Sequence, residues 1–88
     1  MRKVRDIYLI MADNIDPTLE LGEAISRTTA TATNFRTAYD LAISMAEVQN
    51  PAPGYRTALN QAERSKVALI ACKTGSAKAS IFKIKMWS

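Results

Sequence analysis

The residues that could do chemistry in this sequence are lysines, carboxylates and a single cysteine, because histidine is absent from all 88 residues. Without imidazole the chain lacks the usual general base near neutral pH and every Ser-His or Cys-His nucleophile. Cys72 has no second thiol to pair with, and we expect it to be a small buried side chain rather than a nucleophile. We therefore expect no enzyme, no cofactor and no metal.

The acidic residues near the start of the chain are the one set that could hold a hard cation. They are Asp13, Asp16, Glu20 and Glu23. Their spacing matches no calcium loop, and the glycine expected at the centre of such a loop is missing. Turn formation and helix capping explain these side chains better.

Charge is distributed unevenly along the chain, although the net charge is only +4. Between Asp6 and Glu23 there are five acidic residues and no basic one, and from Arg64 onward there are six basic residues and no acidic one. This asymmetry indicates either that the two segments neutralise each other or that a surface is kept for an oppositely charged partner.

The basic segment has the pattern of a β-hairpin, with alternating runs over 66–73 and 78–87 on either side of 74–77. Gly75 followed by Ser76 suits a two-residue type II′ turn, which needs a positive φ at its first position. The predicted facing pairs are Leu69 with Phe82, Val67 with Ile84, Ile70 with Ile81, Lys66 with Lys85 and Lys73 with Lys78. The face that carries Leu69 and Phe82 is the predicted core face.

Facing lysines repel each other, which costs up to about 1 kcal/mol per pair. Either the lysines protect an exposed edge strand, or Asp13, Glu20 and Glu23 neutralise them within the chain, or anions of a partner offset the repulsion. An aromatic beside the lysines, such as Trp87, could also stack on an exposed base. The candidate contact residues are Lys66, Lys73, Lys78, Ile81, Lys83, Lys85 and Trp87.

A second candidate contact region follows the proline- and glycine-containing segment 50–54, which we expect to be an exposed loop. Tyr55 and Arg56 come directly after it. Packing is the simpler expectation for the tyrosine.

The remaining elements are predicted from periodicity. Residues 2–12 alternate as a central strand, and 35–49 have the apolar stripe of a helix capped by Thr33 or Asn34. The threonine-rich stretch 23–33 favours a second strand, with a short helix as the alternative. Residues 57–65 form a short helix or a loop.

These elements predict one α+β domain over residues 1–88, a small antiparallel sheet with one main helix on one face, in the order β-β-α-β-β. The alternative order is β-α-α-β-β. One face of the sheet then lacks a covering helix. Because Tyr8, Ile10, Ile70 and Ile81 would lie there, we expect a homodimer or a partner protein on that face.

The longest apolar run, residues 7–12, is far shorter than the roughly 20 residues that span a bilayer. We expect a cytoplasmic protein without membrane contact. In size and style, though not in any particular residue, the chain resembles the small proteins of phages and mobile elements, including anti-CRISPR inhibitors of host defence. The expected function is non-catalytic docking on a larger host protein or complex through the basic hairpin, and the alternative is nucleic-acid binding by the same hairpin.

Overall fold

The computed structural model describes residues 4–12, 18–47, 51–52, 54–72 and 78–87, without the side chains of residues 46, 52, 71, 72 and 87. None of the helices in these ranges is long and apolar enough to cross a membrane. The elements are β1 Val4–Met11, α1 Leu21–Arg27, β2 Ala30–Ala32, α2 Phe35–Ala46, β3 Pro51–Ala52, α3 Tyr55–Ser65, β4 Val67–Cys72 and β5 Lys78–Trp87.

The strands form one antiparallel sheet in the order β2-β1-β5-β4-β3. β1 pairs along its whole length with β5, from Val4 opposite Trp87 to Met11 opposite Ser80. The alternation of apolar residues in both segments already predicted extended structure. The predicted α+β class, the antiparallel sheet and the C-terminal hairpin are confirmed.

The predicted register of the hairpin is wrong by two residues. Val67 pairs with Phe82 rather than with Ile84, and the N–H of Lys83 donates to the carbonyl of Lys66 over 2.7 Å. Lys66 therefore faces Lys83 instead of Lys85. A shift of two residues keeps every side chain on its predicted face, so the hydrophobic pattern does not distinguish the two registers. The predicted turn at 74–77 and the pair that Lys73 would make lie outside the described residues.

Helix α2 begins where the sequence predicts. The side chain of Asn34 accepts a hydrogen bond from the N–H of Thr37 at 2.9 Å, which is the expected N-cap. The helix ends at Ala46, three residues earlier than predicted, because Glu47 adopts the left-handed conformation with φ 52°. Of the two alternatives for residues 57–65, a short helix or a loop, the helix is observed as α3, which starts two residues earlier at Tyr55.

The predicted second strand over residues 23–33 is wrong for most of its length. Its first part belongs to helix α1, and only Ala30–Ala32 is a strand. The residues of this stretch that are helical, 23–27, include no threonine: Thr28 follows α1 with extended backbone at φ −69° and ψ 131°, and Thr31 lies in β2. Hydroxyl groups bond to carbonyls at this end of α1, since Thr28 Oγ1 donates to the carbonyl of Ala24 at 2.7 Å and Ser26 Oγ to that of Glu23 at 2.9 Å.

The sheet face expected to be uncovered is the main core. Tyr8, Ile10, Ile70 and Ile81 are buried beneath α2 and α3, and the last three are fully inaccessible to solvent. The prediction of an uncovered face was wrong because α3 is a complete helix and covers β4, while α2 covers β5 and β1. This face is internal to the chain and therefore offers no interface to a second copy. Small helical residues meet the sheet: Ala38, Ala42, Ala58 and Ala62.

The opposite face carries a smaller apolar cluster, as predicted for the face of Leu69 and Phe82. Its buried members are Leu9, Met11, Ala24, Val67 and Phe82. Helix α1 lies against β1 on this side and leaves Leu21 and Ile25 more than half exposed, at 51% and 56%. The sheet is therefore covered by two helices on one face and by one short helix on the other.

Candidate binding surface

The two central strands extend past their neighbours at one end of the sheet. β4 pairs with β5 only as far as Val67 opposite Phe82, followed by the single hydrogen bond from Lys83 to Lys66. β2 pairs with β1 only opposite residues 8–10. Residues 4–7 and 84–87 are thus paired with each other alone among the described strands, and we call this pair of segments the β1–β5 ribbon.

The side chains of the β1–β5 ribbon mix exposed apolar and basic groups. Val4 is 50% exposed and Met86 is 51% exposed, values close to those of Leu21 and Ile25 on α1. Arg5 and Lys85 are exposed beside them. Because facing residues share a face of the sheet, Arg5 lies on the same face as Met86, whereas Lys85 lies on the other.

One lysine of the predicted contact set is neutralised within the chain. Lys83 Nζ lies 3.6 Å from Asp6 Oδ2, and the lysine side chain is only 19% exposed. The partner carboxylate is Asp6 rather than one of the later carboxylates considered from the sequence. Lys85 faces Asp6 in the ladder, yet the described residues give Lys85 no ion pair.

The other predicted contact residues separate into two groups at opposite ends of β5. Lys66 and Lys85 are exposed near the β1–β5 ribbon, whereas Lys78 is exposed at the far end, opposite Ala71. A separation of seven residues along a strand is roughly 23 Å, so these lysines form no single patch. The backbone of Trp87 pairs with Val4. Lys73 lies outside the described residues.

Ile81 is removed from the candidate surface. Its side chain is fully buried between the sheet and the helices and cannot contact a partner in this fold. The reason is the coverage described above, since Ile81 lies on the face beneath α2 and α3.

The second candidate region is largely structural. Pro51–Ala52 is the edge strand β3, paired with Cys72 and Ala71, rather than part of a free loop. The ring of Tyr55 packs 5.5 Å from that of Phe35, and the guanidinium of Arg36 lies 5.1 Å above it. Arg56 alone is exposed, in the first turn of α3.

Phe35, Tyr39 and Tyr55 form an aromatic cluster with Tyr8. The ring of Tyr8 lies 5.5 Å from that of Phe35 in an edge-to-face arrangement. Burial raises the pKa of its hydroxyl above the ordinary value of 10.0, and the nearby groups Asp6, Glu63 and Tyr55 raise that pKa further. Burial likewise raises the pKa of Tyr39, against the opposing effect of the Arg36 guanidinium.

A loss of stability at alkaline pH follows from the raised pKa of Tyr8. The unfolded chain releases this proton near pH 10, whereas the folded chain holds it to higher pH, so the contribution is complete below about pH 10 and lost above it. Urea unfolding between about pH 8 and pH 11 should show a falling free energy of unfolding, with a smaller fall in Tyr8→Phe. Equal slopes for the two proteins would contradict this assignment.

Sequence reasoning did not select Val4, Arg5 or Met86. The two long strands were predicted, but the sequence did not show that β2 has only 3 residues against the 8 of β1 and the 10 of β5. Unequal neighbouring strands leave the ends of the longer ones without cover. The missing information was that β1 and β5 pair.

A comparison of the chain with protein-family models, curated proteins and solved structures finds no match to any of them.

Proposed function

We propose that this chain is a small non-catalytic interaction protein that docks on a larger protein or complex through the β1–β5 ribbon. The observation that carries the proposal is the exposure of Val4 and Met86, at 50% and 51%, beside the exposed cations of Arg5 and Lys85. Each face of the β1–β5 ribbon therefore carries an exposed apolar side chain and an exposed cation, Val4 with Lys85 and Met86 with Arg5. Such a mixture of apolar and charged groups is typical of protein-binding surfaces. The specific version of this proposal is an inhibitor that covers a functional surface of a host complex.

The β1–β5 ribbon is suited to docking because its backbone is held in place before a partner arrives. Its two segments are paired along their whole length, from Val4 to Ile7. Little backbone freedom is lost on binding, so more of the contact energy contributes to affinity. Covering the exposed halves of Val4 and Met86 would contribute roughly 1 kcal/mol each.

The test is quantitative affinity capture from cells that carry this gene, comparing two double variants of equal charge change. Arg5→Glu with Lys85→Glu alters the β1–β5 ribbon, and Lys78→Glu with Arg56→Glu alters the exposed cations elsewhere. We expect the first variant to lose at least about tenfold in affinity, or 1.4 kcal/mol. The second should bind like the wild type.

Two results of this comparison would overturn the proposal. One is equal capture of the same protein by the wild type and the ribbon variant. The other is a loss of capture confined to the Lys78 and Arg56 variant, which would place the contact at the remaining exposed cations. Circular dichroism of each variant ensures that only folded proteins are compared.

Nucleic-acid binding is the second candidate, and a specific observation favours it. Arg5, Lys66 and Lys85 are exposed near one end of the sheet, and the described residues provide none of them with an ion pair. With three phosphate contacts, the logarithm of the binding constant should fall with the logarithm of the salt concentration with a slope of about −2.7. Affinity should then drop roughly 40-fold between about 50 and 200 mM salt. A mobility-shift assay at these two concentrations tests it, and the absence of a shift at low salt excludes it.

A further inference from the structure

The backbone of β5 has an open edge next to the end of β4. The N–H of Lys83 points toward β4, where it donates to the carbonyl of Lys66. Backbone groups alternate in direction along an antiparallel strand, so those of Lys85 and Trp87 point the same way. In the part of the chain that the structure describes, no strand lies beside them, because β4 begins at Val67.

The side chains along this edge alternate in character as well. Lys85 lies on the helix-covered face, whereas Ile84 and Met86 lie on the opposite face. Residues that face each other across neighbouring strands share a face and interact. A strand added here would therefore place acidic side chains opposite lysine and apolar side chains opposite Met86.

We propose that the docking partner contributes an extended segment of alternating acidic and apolar residues, which adds to the sheet as a strand along residues 84–87. This inference rests on the proposed function and names its mode of contact. Main-chain hydrogen bonds supply affinity in such strand addition, and alternate side chains supply specificity. The added strand lies on the β4 side of β5, beyond the point where β4 begins at Val67.

The edge of β1 fits this partner less well. The same alternation directs the backbone groups of Val4 and Asp6 toward the open side of β1, since the carbonyl of Ile10 accepts from Thr29 on that side. The charged side chain on the helix-covered face of this segment is Asp6, whose carboxylate already pairs with Lys83, so an acidic segment would meet no cation among residues 4–7 on that face. On β5 the exposed charge is the ammonium of Lys85.

Amide hydrogen exchange measured by NMR tests the added strand at single residues. The probe is a capped hexapeptide that alternates glutamate and valine, and the control is the same peptide N-methylated at every second residue. We expect the first peptide to slow exchange at Lys85 by at least about tenfold, because a free N–H becomes hydrogen-bonded. Met86 should change little, since its backbone groups point toward Arg5 of β1.

Two variants separate the backbone contact from the charge. Lys85→Gln removes the ammonium and keeps the N–H, whereas Lys85→Pro removes both at an edge position that proline tolerates. We expect glutamine to weaken peptide binding and proline to abolish it. Equal binding by both variants would overturn the pairing of backbone groups. The exchange measurement on the wild type remains decisive if the proline variant does not fold.

The remaining outcomes also decide the inference. Peptide binding at the β1–β5 ribbon without slower exchange at Lys85 overturns strand addition but leaves docking by side chains, which the capture experiment judges separately. No binding of either peptide overturns the inference. Slower exchange at Lys85 on adding duplex DNA in place of the peptide also overturns it. Slower exchange at Lys85 when only the protein concentration is raised would identify a second copy of this chain as the occupant, and that result likewise overturns the inference.

Discussion

Replacement of Ile81 with alanine is expected to lower the free energy of unfolding by about 2–5 kcal/mol. The side chain is fully buried between β5 and the helices, and its removal leaves a cavity among neighbours that are themselves buried. A chain of this length has a total stability of about 4–13 kcal/mol, so the loss is a large fraction of it. Urea unfolding followed by circular dichroism measures the change.

The matched control is the same substitution at Ile25, which is 56% exposed on α1. We expect Ile25→Ala to change the free energy of unfolding by no more than about 0.5 kcal/mol. The pair of variants tests which apolar positions form the core. A larger loss for Ile25→Ala than for Ile81→Ala would mean that the assignment of buried and exposed positions is wrong.

Replacement of Phe35 with alanine is expected to cost about 3–5 kcal/mol. Its ring lies at the centre of the aromatic cluster, with ring centroids 5.5 Å from Tyr8, 6.3 Å from Tyr39 and 5.5 Å from Tyr55. These residues come from β1, α2 and α3, so one side chain connects three elements. The variant loses both buried apolar area and favourable ring geometry.

Two controls distinguish these contributions. Phe35→Leu keeps most of the volume and should lose less stability than Phe35→Ala, while Ser44→Ala on the exposed side of the same helix should be nearly neutral. Near-ultraviolet circular dichroism reports the packing of the tyrosines, and we expect its signal to weaken in Phe35→Ala. An unchanged signal together with a loss below about 1 kcal/mol would contradict the central role of this ring.

The elements predicted correctly from sequence are those with a strong local signal. Residues of β1 and β5 alternate, and α2 combines an apolar stripe with a cap at Asn34. The prediction for the stretch 23–33 failed because its four threonines made the whole stretch look extended, whereas α1 ends at Arg27, before the first of them. Local propensity is weak enough for tertiary context to override it.

The candidate surface was less predictable, since it depends on contacts between distant parts of the chain. Alternation indicates which residues share a face, but it does not say which face the helices cover, and so the face of Ile81 was expected to be uncovered. The ion pair of Lys83 with Asp6 joins residues at opposite ends of the sequence. Only the pairing of β1 with β5, which no local pattern encodes, brings them together.

That pairing also constrains how the protein is made. β1 is the first of the described strands to be synthesised, and it pairs over its whole length with β5, which is the last. In the sheet, β5 lies between β1 and β4. During synthesis at about 5–20 residues per second, β1 emerges from the ribosome seconds before β5. During this interval Leu9 and Ile10, which are buried in the fold, lie in a strand whose edge toward β5 is unpaired. Until β5 is available, the edge of β1 that β5 covers in the fold is therefore open to pairing with other chains.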